Sequence, residues 1–439
     1  MNTKISKELL NFIEKCPSCF HAIETIKEKL NENGFIELFE SKKWNIERCK
    51  NYYVTRNSSS IIAFKIGEEI NNYSFNIIAS HSDSPTFKIK ENFEIESSKK
   101  YIQLNTEKYG GMIYSTWLDR PLSVAGRVIV KNENELSTKL VNIDKDLVLI
   151  PNVAIHMNKE VNSGMKYNEQ IDLLPLYGTI ENGKDNFMDL IAEYANVEKE
   201  NILSSDLFLY NRMKPTIWGS KEEFISSPKL DDLQCAFSSL KAFLEGSNSK
   251  SINVYCCFDN EEVGSQTKQG AASTFLEDAL SRINENLGKN REEYLCALAS
   301  SLMLSADNAH AVHPNHPELS DPTNRVYLNE GIVIKYNANQ KYTTDAVSAA
   351  LFKSYCKKAD VPYQTFTNRS DLPGGSTLGN IASTQISISM VDIGLAQLSM
   401  HSSYETAGIK DTYFMYEVMK EFYNSHIEKS ESEILSITV

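Results

Sequence analysis

The sequence predicts an α/β protein in which helices cover both faces of a sheet, interrupted by an inserted β-rich domain. Residues 251–258 (SINVYCCF) and 386–393 (ISISMVDI) are largely apolar, as expected for strands buried on both faces. Helical patterns alternate with them, since residues 345–358 are Ala-rich and amphipathic and residues 414–422 carry an apolar stripe. Residues 92–186, in contrast, are rich in Tyr, Thr, Val and Ile and show little helical periodicity.

The elements before the insertion are a helix and several strands. Apolar side chains recur at three- and four-residue spacing over the first thirty-odd residues, and Asn33-Gly34 supplies a left-handed stop. Short β-rich runs follow at residues 52–55, 60–65 and 74–80. The last of these runs leads directly into His81 and Asp83.

The insertion divides the predicted α/β domain into two parts. Helical and parallel-strand patterns resume after Pro228, so we expect the chain to leave the insertion near residues 218–227. We therefore predict a catalytic α/β domain formed by residues 1–91 and 222–439, with residues 92–221 as the inserted domain.

Length and composition exclude several classes of protein. The chain has 439 residues, about three times an ordinary domain, so a small binding module is excluded. The net charge of −13 and the lack of a cationic cluster in the sequence argue against nucleic acid as a partner. The apolar runs are too short to cross a membrane and no export signal is visible, so we expect a cytoplasmic protein.

The eight cysteines form no disulfide framework, which also fits a reducing compartment. Cys16 and Cys19 have the C-x-x-C spacing of a redox or zinc site. The motif has no second pair, however, and it follows a predicted helix instead of a strand. We therefore favour a structural role for both thiols.

Candidate catalytic groups follow the predicted strands, where open α/β sheets bind their ligands. His81 can bind a divalent metal while Asp83 fixes the tautomer of its ring. Glu261 and Glu262 follow the strand at 251–258, and adjacent carboxylates can serve separately as metal ligand and general base. An exposed loop histidine and a solvated acidic turn are the ordinary alternatives for these two segments.

Further metal-binding side chains occur elsewhere in the chain. Asp231 and Asp307 add carboxylates, three of the eight histidines lie within residues 310–316, and His401 stands beside two serines. A site built from two histidines and several carboxylates suits Zn²⁺, with Mn²⁺ or Co²⁺ as alternatives. Spacing alone does not establish that these side chains converge.

The glycine-rich segment at residues 371–379 (DLPGGSTLG) has two open interpretations. It lacks the G-x-x-x-x-G-K-[ST] pattern of a phosphate-binding loop. It is interpreted either as backbone that lines a substrate site or as a surface turn. The chain also lacks the G-x-S-x-G signature of a serine hydrolase.

Nine segments, in order along nearly the whole chain, resemble the aspartyl aminopeptidase family of metallo-aminopeptidases. They are PSCFHA (17–22), ASHSDSP (79–85), WLDRPLSVAGRV (117–128), NVAIHMN (152–158), SPKLDDL (227–233), DNEEVG (259–264), SADNAHAVHPN (305–315), DLPGGSTLG (371–379) and MHS (400–402). The resemblance implies a three-layer helix/sheet/helix di-zinc peptidase domain with an inserted β-rich dimerisation domain. It also implies removal of the N-terminal residue, acidic in some relatives, from peptides.

The resemblance implies two divalent metal ions per subunit. The implied ligands are His81 and Asp307 for one ion, Glu262 and His401 for the other, and Asp231 as the bridge. Asp83 would orient His81. Glu261 would take a proton from the attacking water and pass it to the leaving amine.

An assembly and a substrate pocket are also implied. His156 would reach into the neighbouring subunit's active site and help to stabilise the oxyanion, within dimers that build a tetrahedral dodecamer. Internal active sites would restrict the substrates to peptides. His310 and Lys335 resemble positions of an acidic-substrate pocket, and the preference for N-terminal Asp or Glu stays open.

Two other functions compete with this one. A di-metal deacylase or carboxypeptidase-like amidohydrolase would share the ligand pattern but would cleave N-acylated substrates. A catalytically silent oligomeric binding shell would lack a ligand or the base. In this sequence each of the five implied ligand positions carries a metal-binding residue, and the implied base, Glu261, is present, which favours an enzyme.

Overall fold

The computed structural model describes residues 2–182, 186–430 and 435–438. Its α-helices are α1 Asn2–Glu14, α2 Cys19–Glu32, α3 Phe187–Ala195, α4 Leu230–Glu245, α5 Phe275–Asn286, α6 Arg291–Ala299, α7 Ala346–Lys358, α8 Leu378–Ala382 and α9 Asp411–Asn424. Among these residues, no helix combines the length and the apolar character needed to cross a bilayer.

The strands follow one another in chain order from the N-terminal region to the C-terminal hairpin. They are β1 Ile36–Leu38, β2 Asn51–Arg56, β3 Ser60–Ile66, β4 Ser74–His81, β5 Thr86–Ser97, β6 Tyr101–Tyr109, β7 Leu122–Asn132, β8 Glu135–Asn142, β9 Leu176–Thr179, β10 Ile202–Asn211, β11 Thr216–Trp218, β12 Phe224–Ser227, β13 Ser251–Phe258, β14 Leu302–Ala306, β15 Ala309–His310, β16 Ile332–Lys335, β17 Tyr363–Phe366, β18 Ser389–Gly394, β19 Ala396–Leu398, β20 Glu405–Gly408, β21 His426–Lys429 and β22 Leu435–Thr438.

A nine-stranded sheet forms the centre of the α/β part. Its strand order is β1-β2-β3-β13-β4-β14-β18-β16-β17. The four central strands β13, β4, β14 and β18 run parallel to one another, so their carboxyl ends meet at one edge of the sheet.

Helices cover both faces of this sheet. Because the side chains of a strand alternate between its faces, neighbouring residues pack against different helices. Cys256 packs on the face covered by α5 and α6, whereas its neighbour Cys257 packs on the face covered by α1, α4 and α9. Both thiols are fully buried. The two clusters of apolar side chains make the three-layer arrangement that the sequence predicts.

A second, six-stranded sheet interrupts the α/β part. Its order is β8-β7-β10-β5-β6-β9, and its neighbouring strands are antiparallel. A separate apolar cluster lies beneath it and includes Phe187 and Ile191 of α3. The predicted α/β class with an inserted β-rich part is therefore confirmed. A five-stranded sheet, β11-β12-β20-β19-β15, joins the segment after the insertion to the C-terminal part of the chain.

Two predicted elements differ from those observed. The helix expected over the first thirty-odd residues is two helices, since the chain breaks at Cys16-Pro17-Ser18 between α1 and α2. The strand expected at residues 386–393 begins only at Ser389. Ile386 instead donates its N–H to the carbonyl of Ala382, which continues the turn that follows α8.

Candidate metal centre

The candidate site lies at the carboxyl ends of three adjacent parallel strands. His81 is the last residue of β4, and Glu261 and Glu262 stand in a short 3-10 turn just after β13. Asp307 directly follows β14. Because β13, β4 and β14 are neighbours in the sheet, side chains far apart in sequence come together at this edge.

Two further residues approach from outside the sheet. Asp231 is the second residue of α4 but has a backbone that is not helical, and its peptide bond to Asp232 is cis. His401 follows β19 and has a left-handed backbone, with a φ of 66°. Glu405 holds both segments, because its carboxylate accepts the N–H of Asp231 at 3.0 Å and the N–H of His401 at 2.8 Å.

Asp231 stands between the two histidines of the site. Its Oδ1 is 3.5 Å from Nε2 of His81, and its Oδ2 is 3.4 Å from Nε2 of His401. The same His401 nitrogen is 3.4 Å from Oε2 of Glu262. The structure thus brings together the side chains that the sequence suggested as ligands.

Three groups of potential ligand atoms can be distinguished in the described part of the chain. Within each group the atoms lie within 4.8 Å of one another. The groups are His81 with Asp231, Asp232 and Asp307; His81 with Glu261 and Glu262; and Asp231 with Glu262 and His401. The first group shares His81 with the second and Asp231 with the third, so one compact cluster results.

Asp83 supports this cluster through several hydrogen bonds. Its carboxylate accepts the hydroxyl of Tyr109 at 2.6 Å and the N–H groups of Glu261 and Glu262 at 3.1 and 3.2 Å. Its Oδ1 also lies 3.4 Å from Nδ1 of His81. Nδ1 of His81 is hydrogen-bonded to the backbone carbonyl of Asp83 at 3.1 Å. Asp83 therefore fixes the ring of His81 through its carbonyl and the turn that carries both glutamates through its carboxylate.

The crowding of buried carboxylates perturbs their protonation. Burial, opposed by His81 and reinforced by nearby acids, raises the pKa of Glu261 to about 8. Burial also raises the pKa of Glu262 and of Asp307. For Asp231 the two histidines outweigh burial and lower the pKa. Without a cation, the cluster thus opposes the ionisation of most of its own acids.

The residues present fit a divalent metal. Oδ1 of Asp231 and Oε1 of Glu262 are buried and find no hydrogen-bond partner within the described residues. Buried polar atoms normally have partners, so these oxygens are suited to coordination. Imidazole nitrogens and carboxylate oxygens without a thiolate are donors that Zn²⁺ accepts.

The three remaining candidate residues lie outside the cluster. His156 is exposed, in the segment between β8 and β9. The ring of His310 packs edge-on against Phe366, with centroids 6.3 Å apart. Lys335 is 2% exposed, and its amino group donates to the carbonyls of Asp307 and Asn308 at 2.7 and 3.2 Å.

Sequence reasoning missed three residues of the site. Asp232 accepts the N–H of His81 at 3.1 Å, and only its position beside Asp231 hinted at a role. Glu405 is four residues after His401, a spacing without a distinctive signal. Tyr109 belongs to a strand of the inserted sheet, and nothing in its sequence context connects it with Asp83.

Comparison with known proteins decides the family. Residues 12–423 match the family described as aminopeptidase I zinc metalloprotease (M18). The chain belongs to the M18 family. It is a metal-dependent aminopeptidase, and the cluster described above contains side chains that could hold a metal ion.

Two relatives show how far the similarity extends. The chain is 51% identical over 427 residues to a probable M18 family aminopeptidase 2 of Clostridium novyi, covering 96% of this chain and 99% of the relative. It is 38% identical over 457 residues to aspartyl aminopeptidase 1 of Schizosaccharomyces pombe, covering 98% and 96% of the two chains. The resemblance to aspartyl aminopeptidases is thus confirmed.

Solved structures support the same fold. A chain in the complex of Ape4 and Nbr1 is 36% identical and superimposes with a TM-score of 0.93, covering 97% of this chain and 86% of the other. A chain of the mApe1 dodecamer of S. cerevisiae is 26% identical, with a TM-score of 0.84 and 96% of each chain covered.

Proposed function

We propose that this M18 aminopeptidase holds two divalent cations, Zn²⁺ in preference to Mn²⁺ or Co²⁺. His81 and Asp307 would hold one, Glu262 and His401 would hold the other, and Asp231 would be shared between them. The observation that carries this proposal is the position of Asp231, whose two oxygens face different histidines at 3.5 and 3.4 Å. A carboxylate with one oxygen toward each imidazole is suited to serve two ions at once.

Glu261 is the proposed general base. When bound, the cations lower the pKa of an attacking water and polarise the scissile carbonyl. Glu261 lies beside His81 and Glu262 and is not needed in the proposed ligand set. Its carboxylate is therefore free to take the proton from the water and to deliver it to the leaving amine.

Asp83 and Glu405 are proposed to position the reacting groups. The carboxylate of Asp83 holds the turn that carries Glu261, and its backbone carbonyl, 3.1 Å from Nδ1 of His81, fixes the tautomer of that ring. Glu405 fixes the backbone at Asp231 and His401 through two hydrogen bonds. Neither carboxylate has to touch the substrate to affect the rate.

A preference for an N-terminal Asp or Glu is the finer proposal about the substrate, carried by His310 and Lys335. The name of the S. pombe relative supports it. The contacts of Lys335 count against it, because its buried amino group already lies 3.7 Å from Oδ2 of Asp307 and donates to two carbonyls. The same contacts support Lys335 as an anchor for Asp307.

Assembly is proposed from the insertion and from a relative. Residues 92–221 form the proposed dimerisation domain, between the catalytic parts at 1–91 and 222–439, and the inserted sheet at 86–211 supports this division. The proposed assembly is a tetrahedral homo-dodecamer that acts on peptides in the cytoplasm, and the dodecamer of the S. cerevisiae neighbour supports its subunit number. The exposed position of His156 is compatible with its proposed reach into a neighbouring subunit.

A substrate panel tests the proposed function. Chelated protein is assayed on Asp, Glu, Leu, Lys and Ala anilides, before and after addition of Zn²⁺, Mn²⁺ or Co²⁺. Each anilide is paired with its N-acetylated form as a control. We expect metal-restored cleavage of the free-amine substrates alone.

Each other outcome corrects a defined part of the proposal. Cleavage of the acetylated forms would favour a deacylase. Absence of cleavage with every metal would contradict the catalytic proposal. If kcat/KM were no higher for the Asp and Glu anilides than for the other anilides, the proposed preference for acidic residues would be wrong.

A further inference from the structure

The β6–β7 loop, residues 110–121, brings the inserted domain into contact with the metal centre. It begins at Gly110, where a Cβ atom would stand only 3.1 Å from the Cβ of Glu262. Gly110 has a φ of 77°, a left-handed conformation that glycine adopts readily. The loop thus lies directly against one of the two proposed ligands of the second ion.

The same loop holds the backbone of His401, the other proposed ligand of that ion. The N–H of Ile113 donates to the carbonyl of His401 at 3.0 Å. The N–H of His401 donates to Glu405 at 2.8 Å. His401 has a left-handed backbone, which is unusual for a residue other than glycine, so it needs support from its surroundings. The inserted domain supplies one of its two backbone partners.

Thr116 extends this connection to Ser403. The hydroxyl of Thr116 donates to the carbonyl of Ile113 at 2.7 Å and accepts the N–H of Ser403 at 2.9 Å. The hydroxyl of Ser403 donates in turn to the carbonyl of Thr116. One side chain therefore closes the turn at Ile113 and binds this turn to the segment that carries His401.

Thr116 is attached to the core of the inserted domain. Its neighbour Trp117 is buried in the apolar cluster of that domain and packs edge-on against Phe87, with ring centroids 5.4 Å apart. Asn211, at the end of β10, provides a second attachment, because its amide donates to the carbonyl of Ser403 at 2.9 Å. The core of the inserted domain is thereby linked to the segment around His401.

The proposed ligands of the first ion are supported by the catalytic part. His81 is the last residue of β4, which pairs with β13 in the central sheet. Asp307 donates its N–H to the carbonyl of Ile393 at 3.0 Å. Tyr109 also belongs to the inserted domain, but through Asp83 it supports both positions. The contacts of the β6–β7 loop, in contrast, fall on the side of the second ion.

We propose that Thr116 is a positioning residue for the second metal ion, and that the inserted domain sets the affinity of this ion through it. The inference rests on the proposed ligand set, in which Glu262 and His401 would hold that ion. Thr116 acts through Ile113 and Ser403, which keep the ring of His401 facing Asp231 and Glu262. Loss of a group that orients a ligand typically lowers metal affinity about 10- to 100-fold. Because Thr116 acts through the backbone, we expect the lower part of this range or somewhat less.

Zinc binding by the full-length enzyme tests the proposal. Chelated protein is titrated with Zn²⁺ in competition with a chromogenic chelator, and the zinc bound per subunit is counted after dialysis against buffered zinc. Thermal unfolding of the metal-free protein checks that each variant is folded. The unmodified enzyme should bind two ions. A single ion in the unmodified enzyme would contradict the proposed two-ion centre itself, before any variant is compared.

Thr116→Val removes the hydroxyl and nearly preserves the shape of the side chain. It should weaken the binding of one ion at least about fivefold and leave the affinity of the other within twofold. Thr116→Ser keeps the hydroxyl and should bind both ions as the unmodified enzyme does. Thr86→Val is the matched control, because the hydroxyl of Thr86 donates to the carbonyl of Leu209 within the inserted sheet at 2.6 Å. This control should leave both affinities within twofold.

His401→Ala identifies which ion is affected. This variant should retain the first ion, and the addition of Thr116→Val should then change the affinity of that ion less than twofold. Ile113→Pro removes the N–H that binds the carbonyl of His401, and the φ of −83° at Ile113 is close to that of proline. It should reproduce the loss at the second ion.

Several results would overturn the proposal. They are equal weakening of both ions in Thr116→Val, unchanged affinity for both, the same loss in Thr116→Ser, or a further loss of the first ion when Thr116→Val is added to His401→Ala. If Thr116→Val does not fold, Ile113→Pro decides, and binding of both ions as tight as in the unmodified enzyme would refute the role of the loop.

Discussion

Replacement of Asp83 by Asn tests the support of the metal centre with the smallest change of shape. The carboxylate accepts three hydrogen bonds, from the hydroxyl of Tyr109 and from the backbone of Glu261 and Glu262. An amide has one acceptor oxygen, so its NH2 group must face either the Glu261 N–H and the His81 ring or the Glu262 N–H and Tyr109. In the first orientation an N–H donor replaces the charged oxygen that lies 3.4 Å from Nδ1 of His81, while the backbone carbonyl of Asp83 still accepts from that nitrogen at 3.1 Å.

The expected magnitude follows from the hydrogen bonds. At least one bond to a charged acceptor is lost, which costs about 1.5–3 kcal/mol. Loss of a group that orients a metal ligand typically lowers metal affinity about 10- to 100-fold, or about 1.4–2.7 kcal/mol, which agrees with that figure. We therefore expect Asp83→Asn to bind zinc about 10- to 100-fold more weakly than the unmodified enzyme.

Competition with a chromogenic chelator measures this affinity, and thermal unfolding of the metal-free protein checks that the fold persists. Tyr109→Phe is the matched control, because it removes one donor and leaves the carboxylate and its two backbone partners in place. Its loss of affinity should be smaller than fivefold. If Asp83→Asn bound zinc within twofold of the unmodified enzyme, the carboxylate of Asp83 would not be needed to support the metal centre.

Three further changes test other residues. Glu261→Gln should keep the metals but lower kcat at least about a hundredfold, as expected for loss of a general base, and activity near that of the unmodified enzyme would refute the assignment. His156→Phe should lower turnover without loss of metal, and unchanged kinetics in an intact oligomer would contradict a cross-subunit role. Burial raises the pKa of Asp411 from 3.8 to about 7, so the folded state keeps a proton that the unfolded chain releases. The unfolding free energy relative to Asp411→Asn should therefore fall, by at most about 4 kcal/mol, between pH 4 and pH 7. Urea denaturation across this range measures the difference, and a constant difference would exclude this titration.

The sequence predicted the features that depend on local pattern. The strand predicted at 251–258 is largely apolar, and β13 occupies the same residues. His81 and Glu261 could be recognised as candidates because each lies at or just beyond the carboxyl end of such a strand. The strand expected from residue 386 begins later, because the N–H of Ile386 is hydrogen-bonded to the last residue of α8. A hydropathy pattern does not reveal that hydrogen bond.

The local sequence pattern could not predict that the site residues come together. Asp231 begins a helix and His401 lies in a loop, so neither has the strand-end position that marks His81. Their pairing at this centre was expected only from the resemblance to a family. Glu405 shows the limit most clearly, because its role consists of two hydrogen bonds to backbone groups 174 and four residues away.

The spread of the site along the chain has a consequence for the synthesis of the protein. The ribosome releases His81 long before His401, and the sheet that aligns them requires β13, β14 and β18. An unfinished or truncated chain therefore lacks one imidazole and part of the scaffold that aligns the others. We expect this peptidase to be inert while it is being translated, so that its own nascent chain and its neighbours on the polysome are not exposed to its activity.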